Sequence, residues 1–196
     1  MASVAIVPAA GKGERFGGPK LLADVVGQPL LNWTLKSLLE GGVARVVVVA
    51  APGADFSSVE LGSDPRVRFV VNDDPSRGMF SSIQVGLATV GGDPILFLPA
   101  DMPFVSRTTV AALLAECRIR ERLIVPVHQD KRGHPIAIPN ALRRMVMLAP
   151  VTSTLKDALA PVATMRYELP VDDPGIHRDV DIPPDLQESQ KAEGRS

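Results

Sequence analysis

Short runs of Val, Ile and Leu alternate with segments of helical periodicity up to about residue 120. Val4–Val7 is apolar and closed by Pro8, the pattern of a buried first strand. A glycine-rich, cationic loop covers Ala9–Lys20, and Leu21–Val26 reads as a short extended piece before a turn at Gly27-Gln28. Pro29–Glu40 has apolar residues at helical spacing, with Pro at its start and Gly41-Gly42 at its end, which predicts a helix. Arg45–Ala51 is a valine-rich run that predicts a second, fully buried strand, and Val67–Val71 a third. Met79–Val90 predicts a helix stopped by Gly91-Gly92. Pro94–Leu98 predicts a fourth strand, followed at once by Pro99-Ala-Asp-Met-Pro103. Ser106–Arg118 predicts a helix with Ser106 as its N-cap. Buried strands alternating with helices mean βαβ units, hence an α/β chain with three layers around a mostly parallel, Rossmann-like central sheet.

Beyond residue 120 the pattern loosens. Leu123–Val127 and Pro135–Ile138 predict strands around a polar Gln129–His134 turn, Asn140–Leu148 and Ser153–Leu159 short helices, and Met165–Val171 a last strand. Residues 1–187 are expected to form a single domain, with 188–196 a polar C-terminal tail.

Charge and composition narrow the function without naming it. The 196 residues carry 21 Lys and Arg against 22 Asp and Glu, a balance of -1 that argues against a dedicated nucleic-acid binder. A hydrophobic content of 45% is ordinary for a globular chain. No run approaches the ~18 apolar residues of a membrane span, and the N-terminus lacks the basic region of a signal peptide. Cys117 is the only cysteine, so the expected location is a reducing cytoplasm, with neither membrane nor nucleic acid as partner.

The informative segment is Ala9-Ala-Gly-Lys-Gly-Glu-Arg-Phe-Gly-Gly-Pro-Lys20, directly after the first strand. Its glycines let the backbone turn tightly and bring amides close to a ligand, and successive free amides make an anion-binding nest. Arg15 and Lys20 add positive charge, a combination that suits a triphosphate. A loop at this point of an α/β sheet is also where such folds bind ligands. The P-loop pattern is excluded because Gly13 follows Gly11-Lys12 where Ser or Thr is required. Phe16 breaks the dinucleotide fingerprint and so disfavours a NAD-type dehydrogenase.

This segment resembles the A-A-G-x-G-x-R-x-G-x-P-K signature of the nucleotidyltransferases that activate sugars and cofactors, of the molybdenum cofactor cytidylyltransferase and guanylyltransferase type. Further likenesses follow in family order. Gly78-Met-Phe-Ser-Ser-Ile resembles G-M-S-S-S-L of the cytidylyl branch, and Leu98-Pro-Ala-Asp-Met-Pro103 resembles L-x-A-D-M-P. Arg132-Gly-His-Pro135 resembles R-G-H-P, and Asp179-Val-Asp-Ile-Pro-Pro-Asp-Leu186 resembles D-I-D-T-P-E-D-L. Three departures stand out: Phe80 replaces a Ser, Ile182 and Pro184 replace polar residues, and Phe16 sits where Met is usual.

The resemblance implies a nucleotidyltransferase-type fold and transfer of a nucleoside monophosphate, with CMP favoured, from an NTP to a phosphorylated acceptor of molybdopterin type. It implies Lys20, Arg15 and Asp101 as catalytic residues. Asp101 and Asp181 are the implied Mg2+ ligands, with Mn2+ an accepted substitute; Asp179 is the alternative to Asp181, and the flanking Asp179 and Asp185 also read as N-caps. The implied nucleotide contacts are Ala9, Ala10, Gly11, Gly13, Arg15, Lys20, Asn72, Gly78, Ser81 and Ser82, although Ser81 and Ser82 read equally well as the opening of a helix. Arg132 and His134 are the implied acceptor contacts, and a molybdoenzyme or its chaperone is admitted as a partner. The rivals are guanylyl or uridylyl transfer to another acceptor, such as a sugar or methylerythritol phosphate, and a nucleotide-binding regulator without catalysis. Lys20, Asp101 and Asp181 together argue against the regulator, which needs no metal carboxylates.

Overall fold

The computed structural model describes residues 1–11 and 20–180. The first strand, β1 (Val4–Ala9), is buried along its whole length. A hairpin of two very short strands, β2 (Asp24–Val25) and β3 (Gln28–Pro29), leads into helix α1 (Leu30–Glu40). Strands β4 (Arg45–Ala50) and β5 (Val67–Val71) are joined by a segment whose one helical turn is a 3-10 turn at Glu60–Ser63. Helix α2 (Met79–Thr89), strand β6 (Ile95–Phe97) and helix α3 (Arg107–Arg120) complete the first half. Strands β7 (Ile124–His128), β8 (Lys131–Arg132) and β9 (Ile136–Ile138) follow. Helices α4 (Arg143–Leu148) and α5 (Leu155–Ala158) and strand β10 (Tyr167–Pro170) close the chain.

The described strands of the main sheet lie in the order β10-β7-β9-β6-β1-β4-β5, with β8 paired to β7. β1, β4, β5 and β6 run parallel, as do β7 and β10; β9 is antiparallel to both β6 and β7. The sheet is therefore mostly parallel, as the alternation of strands and helices predicts. The chain builds outward from β1 through β4 to β5, then returns to place β6 on the other side of β1. That reversal leaves a crevice at the carboxyl ends of β1 and β6, the position where open α/β sheets bind ligands.

Continuous apolar runs form the central strands because both faces are covered. Ala5, Val7, Val46 and Val48 pack with Leu31, Leu35 and Leu38 of α1 and Val110, Leu113 and Cys117 of α3. Val4, Ile6, Val47 and Val49 point the other way, onto Phe80, Ile83 and Leu87 of α2 and Val146 of α4. α2 lies so close to the sheet that a Cβ on Gly86 would stand 2.7 Å from Ile6 Cγ2 and 2.9 Å from Val49 Cγ2. At α3, Ser106 caps as expected, its hydroxyl accepting from the Thr108 N–H at 3.3 Å. The buried Asp173 reinforces that end, accepting from Ser106 N at 2.8 Å and Thr109 Oγ1 at 2.7 Å. Trp33 donates its indole N–H to the Val25 carbonyl at 2.7 Å, holding α1 to the β2–β3 hairpin.

Three local expectations need correction. β5 is not fully buried: it forms the sheet edge, and Val71 is 51% exposed. β1 does not stop at Pro8 but runs on to Ala9, with Pro8 in register with Val49. The Gln129–His134 turn contains β8, because Gln129 and Asp130 both take left-handed backbone angles (φ 49° and 61°) and fold Lys131–Arg132 back onto Val127–His128. No helix among the described residues is long and apolar enough to cross a membrane.

Candidate active site

The crevice at the β1–β6 reversal is built by backbone hydrogen bonds before any side chain enters it. Past the end of β6 the chain stays beside β1, with Leu98 N donating to Ile6 O and Ala100 N to Pro8 O, each at 3.2 Å. Asp101 is thereby delivered opposite the end of β1. Two more bonds fix it there: Thr34 Oγ1 donates to the Ala100 carbonyl at 2.9 Å, and Val180 N donates to the Asp101 carbonyl at 3.0 Å.

Lys20 returns from the far side of the glycine-rich loop at the start of a 3-10 turn, Lys20–Leu22. Its Nζ meets Asp101 Oδ2 at 2.8 Å, with the two side chains 12% and 28% exposed. Partial burial leaves this pair less screened by water and salt than a surface pair. Ala9 and Ala10 are buried beneath the same crevice, and Gly11 follows them on its lining.

These groups open onto a cavity of about 670 Å³, whose lining includes Ala9–Gly11, Lys20, Ser82 and Asp101. Its volume lies in the range of small-molecule sites. The opposite wall is the loop after β4, Ala51–Phe56, which the sequence reading did not single out. Its signal was the Ala-Pro-Gly-Ala-Asp run at the carboxyl end of a buried strand, where the sheet rule places sites. Phe56 is braced by a stacked contact with Phe69, ring centres 5.3 Å apart.

The remaining edge is the start of α2. Gly78 has φ 91°, a left-handed conformation that favours glycine, and lines the cavity. Ser82 lines it too, whereas Ser81 is buried away from it. Asn72 is wholly buried and spans the end of β5 to the start of α2. Its Nδ2 donates to Ser81 Oγ at 2.8 Å and Ser82 Oγ at 3.0 Å, and its Oδ1 accepts from Asp74 N at 3.1 Å. Ser81 Oγ in turn donates to the Gly78 carbonyl at 2.7 Å. In this arrangement Asn72 braces the rim rather than lining it. Phe80 points away from this network into the core on the α2 face of the sheet, only 4% exposed.

Of the two residues expected at the acceptor, His134 and Arg132 part company. Arg132 is exposed, pairs with Glu168 at 2.7 Å and lines neither this cavity nor its neighbour. His134 is drawn inward, its N–H donating to Ile176 O at 2.9 Å, and it lines a second cavity next to the first. Burial pushes the His134 imidazole below its ordinary pKa, opposed by the negative charges of Asp101 and Asp179. Gly13, Arg15 and Asp181 lie outside the described residues.

Asp101 fits a hard divalent cation. Mg2+ is usually held by one or two carboxylates, with substrate phosphates and water completing the shell. Among the described residues no group of three or more His, Cys, Asp or Glu is placed to hold a metal. The Val180–Asp101 bond brings the chain beside Asp101 at the residue before Asp181.

Comparison with known proteins identifies the family of the chain. Nicotine blue oxidoreductase of Paenarthrobacter nicotinovorans is 35% identical over 150 residues, covering 72% of each chain. A probable molybdenum cofactor guanylyltransferase of Bacillus licheniformis is 27% identical over 139 residues, covering 69% of this chain and 67% of its own. Rv0371c of Mycobacterium tuberculosis superposes with a TM-score of 0.80 at 24% identity, covering 97% of this chain and 98% of that one, which supports the fold. The family model of the MobA-like NTP transferase domain matches residues 5–166, and the chain belongs to that family.

Proposed function

We propose that the chain transfers CMP from CTP to a phosphorylated acceptor of molybdopterin type and releases pyrophosphate. The observation that carries this reading is the Lys20–Asp101 pair, 2.8 Å apart, at the edge of a 670 Å³ cavity on the carboxyl side of β1, β4 and β6. In such a transfer an oxygen of the acceptor phosphate bonds to the α-phosphorus while the bond to the β-phosphate oxygen breaks. The nucleophile is already an anion at neutral pH, so positioning and charge neutralisation carry the catalysis. Lys20 would hold the charge that grows on the α-phosphate, with Gly11 offering its amide to the phosphates and Arg15 adding a cation. Asp101, with Asp181, would hold Mg2+ or Mn2+, which would supply further charge neutralisation on the phosphates. Gly78 and Ser82 would lie near the base and ribose, and their likeness to the cytidylyl run is the support for cytosine. Pyrophosphate release with each of the four NTPs, with and without molybdopterin-type cofactor, tests the proposal. Turnover with GTP alone would replace the base and keep the transfer; no release with any NTP would remove the transfer itself.

A second reading has one specific support, the 35% identity to a relative named as an oxidoreductase. Under it the cavity would serve a redox reaction rather than nucleotidyl transfer. Consumption of reduced nicotinamide by the full chain, with pyrophosphate release absent, would favour it.

A further inference from the structure

We infer that Asp173 is a positioning residue: it locks a strap, residues 173–180, that sets the backbone of Asp101. The consequence for metal binding rests on the transfer reading, in which Asp101 holds a divalent cation; the clamp itself does not.

Residues 101–106 run from Asp101 to the N-cap of α3, and the strap grips them at both ends. At the far end Asp173 Oδ2 accepts from Ser106 N at 2.8 Å and from Thr109 Oγ1 at 2.7 Å. At the near end Val180 N donates to the Asp101 carbonyl at 3.0 Å, and Val180 is wholly buried with Val25 and Leu30. Between them Gly175 lies against Phe104, where a Cβ would stand 1.9 Å from the carbonyl oxygen, so the two backbones touch with no room for a side chain. The Arg178 guanidinium covers the Phe104 ring at 4.4 Å. The strap also grips the turn before β9: the Ile176 carbonyl accepts from His134 N at 2.9 Å. One strap therefore ties Asp101 to the turn that carries His134.

The Asp173 carboxyl is hard to replace in this device. Its second oxygen, Oδ1, accepts from Gly175 N at 2.9 Å and so caps the 3-10 turn Pro174–His177 within the strap. The residue is 5% exposed, which leaves water little access to take over these bonds. An amide of the same size fails. With its oxygen toward Ser106 its NH2 faces the Gly175 N–H; turned over, it faces the Ser106 N–H. Either way a buried donor loses its acceptor, and either the strap or the far end of residues 101–106 is released. Groups that orient a metal ligand in this indirect way are worth about 10–100-fold in metal affinity or activity.

The test compares the full-length parent, Asp173→Asn and Thr109→Val. Thr109→Val keeps the shape and removes one donor, while Asp173 retains Ser106 N and Gly175 N; it should lower Tm by roughly 2–4 °C and leave the clamp closed. Hydrogen exchange of the Val180 N–H, followed by NMR below the lowest Tm, reads the clamp against the amides of β1, which report global stability. In Asp173→Asn the Val180 N–H should gain about tenfold or more in rate over the β1 amides. In Thr109→Val the two should shift together. Mn2+ binding, read by electron paramagnetic resonance, should weaken about tenfold in Asp173→Asn and stay at the parent value in Thr109→Val. The kcat should fall in parallel with Mn2+ affinity while the KM for NTP stays within about twofold. If Asp173→Asn does not fold, Ser106→Pro takes its place: Ser106 has φ -71°, which suits proline, and the change removes the N–H that Asp173 holds. Val180 exchanging in step with β1, Mn2+ binding unchanged beside a parent that binds it, or an equal loss in Thr109→Val overturns the inference. A parent that binds no Mn2+ counts against the transfer reading, and Val180 exchange then decides the clamp alone.

Discussion

Asn72 is where the resemblance and the geometry make different predictions, and Asn72→Ala separates them. The side chain is wholly buried and holds three partners: Ser81 Oγ at 2.8 Å, Ser82 Oγ at 3.0 Å and the Asp74 N–H at 3.1 Å. Truncation leaves Ser82 without its donor and Asp74 N without its acceptor, while Ser81 keeps its bond to the Gly78 carbonyl. At about 1 kcal/mol for each lost bond, and up to about 2 where a buried group is left unpaired, the change should cost ~2–4 kcal/mol. For a chain of this size that is a fall of roughly 5–15 °C in Tm. Thermal denaturation reads the stability, and CTP titration reads the site. Because Gly78 and Ser82 both line the cavity, CTP affinity should fall in the same variant, with Ser82→Ala showing a smaller version of both effects. The reasoning is refuted if Asn72→Ala melts with the parent yet no longer binds CTP, since Asn72 would then touch the nucleotide, as the resemblance implies.

Four other outcomes are expected. Asp101→Asn should keep the parent Tm within a few degrees and lose on the order of a hundredfold or more in turnover; activity should also vanish on chelation and return with Mg2+ or Mn2+. Lys20→Ala should lower kcat more than it raises the KM for NTP, because its charge matters most as the α-phosphorus is attacked; equal changes in both would assign it to ground-state binding. Thr34→Val removes the bond that holds the Ala100 carbonyl at 2.9 Å, and should cost ~1–2 kcal/mol by chemical denaturation along with part of the turnover. Cys117 is 1% exposed and burial pushes its thiol up to about 12, so it should resist a thiol reagent at pH 8 until the chain is unfolded. The raised value favours the neutral thiol in the fold, so the stability linked to it is present below the ordinary thiol pKa and is lost as pH climbs from about 9 toward 12.

What could be read in the sequence was whatever depends on neighbours along the chain. The valines of β4 and the Pro and Gly-Gly bounds of α1 are local signals, and both elements appear within a residue of their expected limits. Pro8 misled because proline lacks only the donor: its carbonyl still accepts from Ala100 N at 3.2 Å, so the strand continues to Ala9. The β7–β8 hairpin was hidden because Gln129 and Asp130 take left-handed angles without a glycine to announce them. β5 reads as a buried strand from Val67, Phe69, Val70 and Val71, yet burial depends on what lies beyond the strand, and composition does not say that no described strand of the sheet does.

The site follows the same division. Glycines and cations after a first strand announce a phosphate loop, and Asp101 after a later strand announces a carboxylate at a sheet edge, but neither tells which faces the other. That information lies in topology: β6 returns to the far side of β1 instead of continuing past β5, and residues 81 positions apart close to 2.8 Å. Had β6 been added beyond β5, Asp101 would stand at the sheet edge with two strands between it and the glycine-rich loop. One topological choice therefore makes the Lys20–Asp101 pair. The bonds from Thr34 and Val180 then hold Asp101 by its backbone and its neighbour's, leaving its carboxylate to meet charge. A carboxylate whose position does not depend on its own ion pair can exchange Lys20 for a metal or a phosphate-bound cation without moving, as nucleotidyl transfer at this site would require.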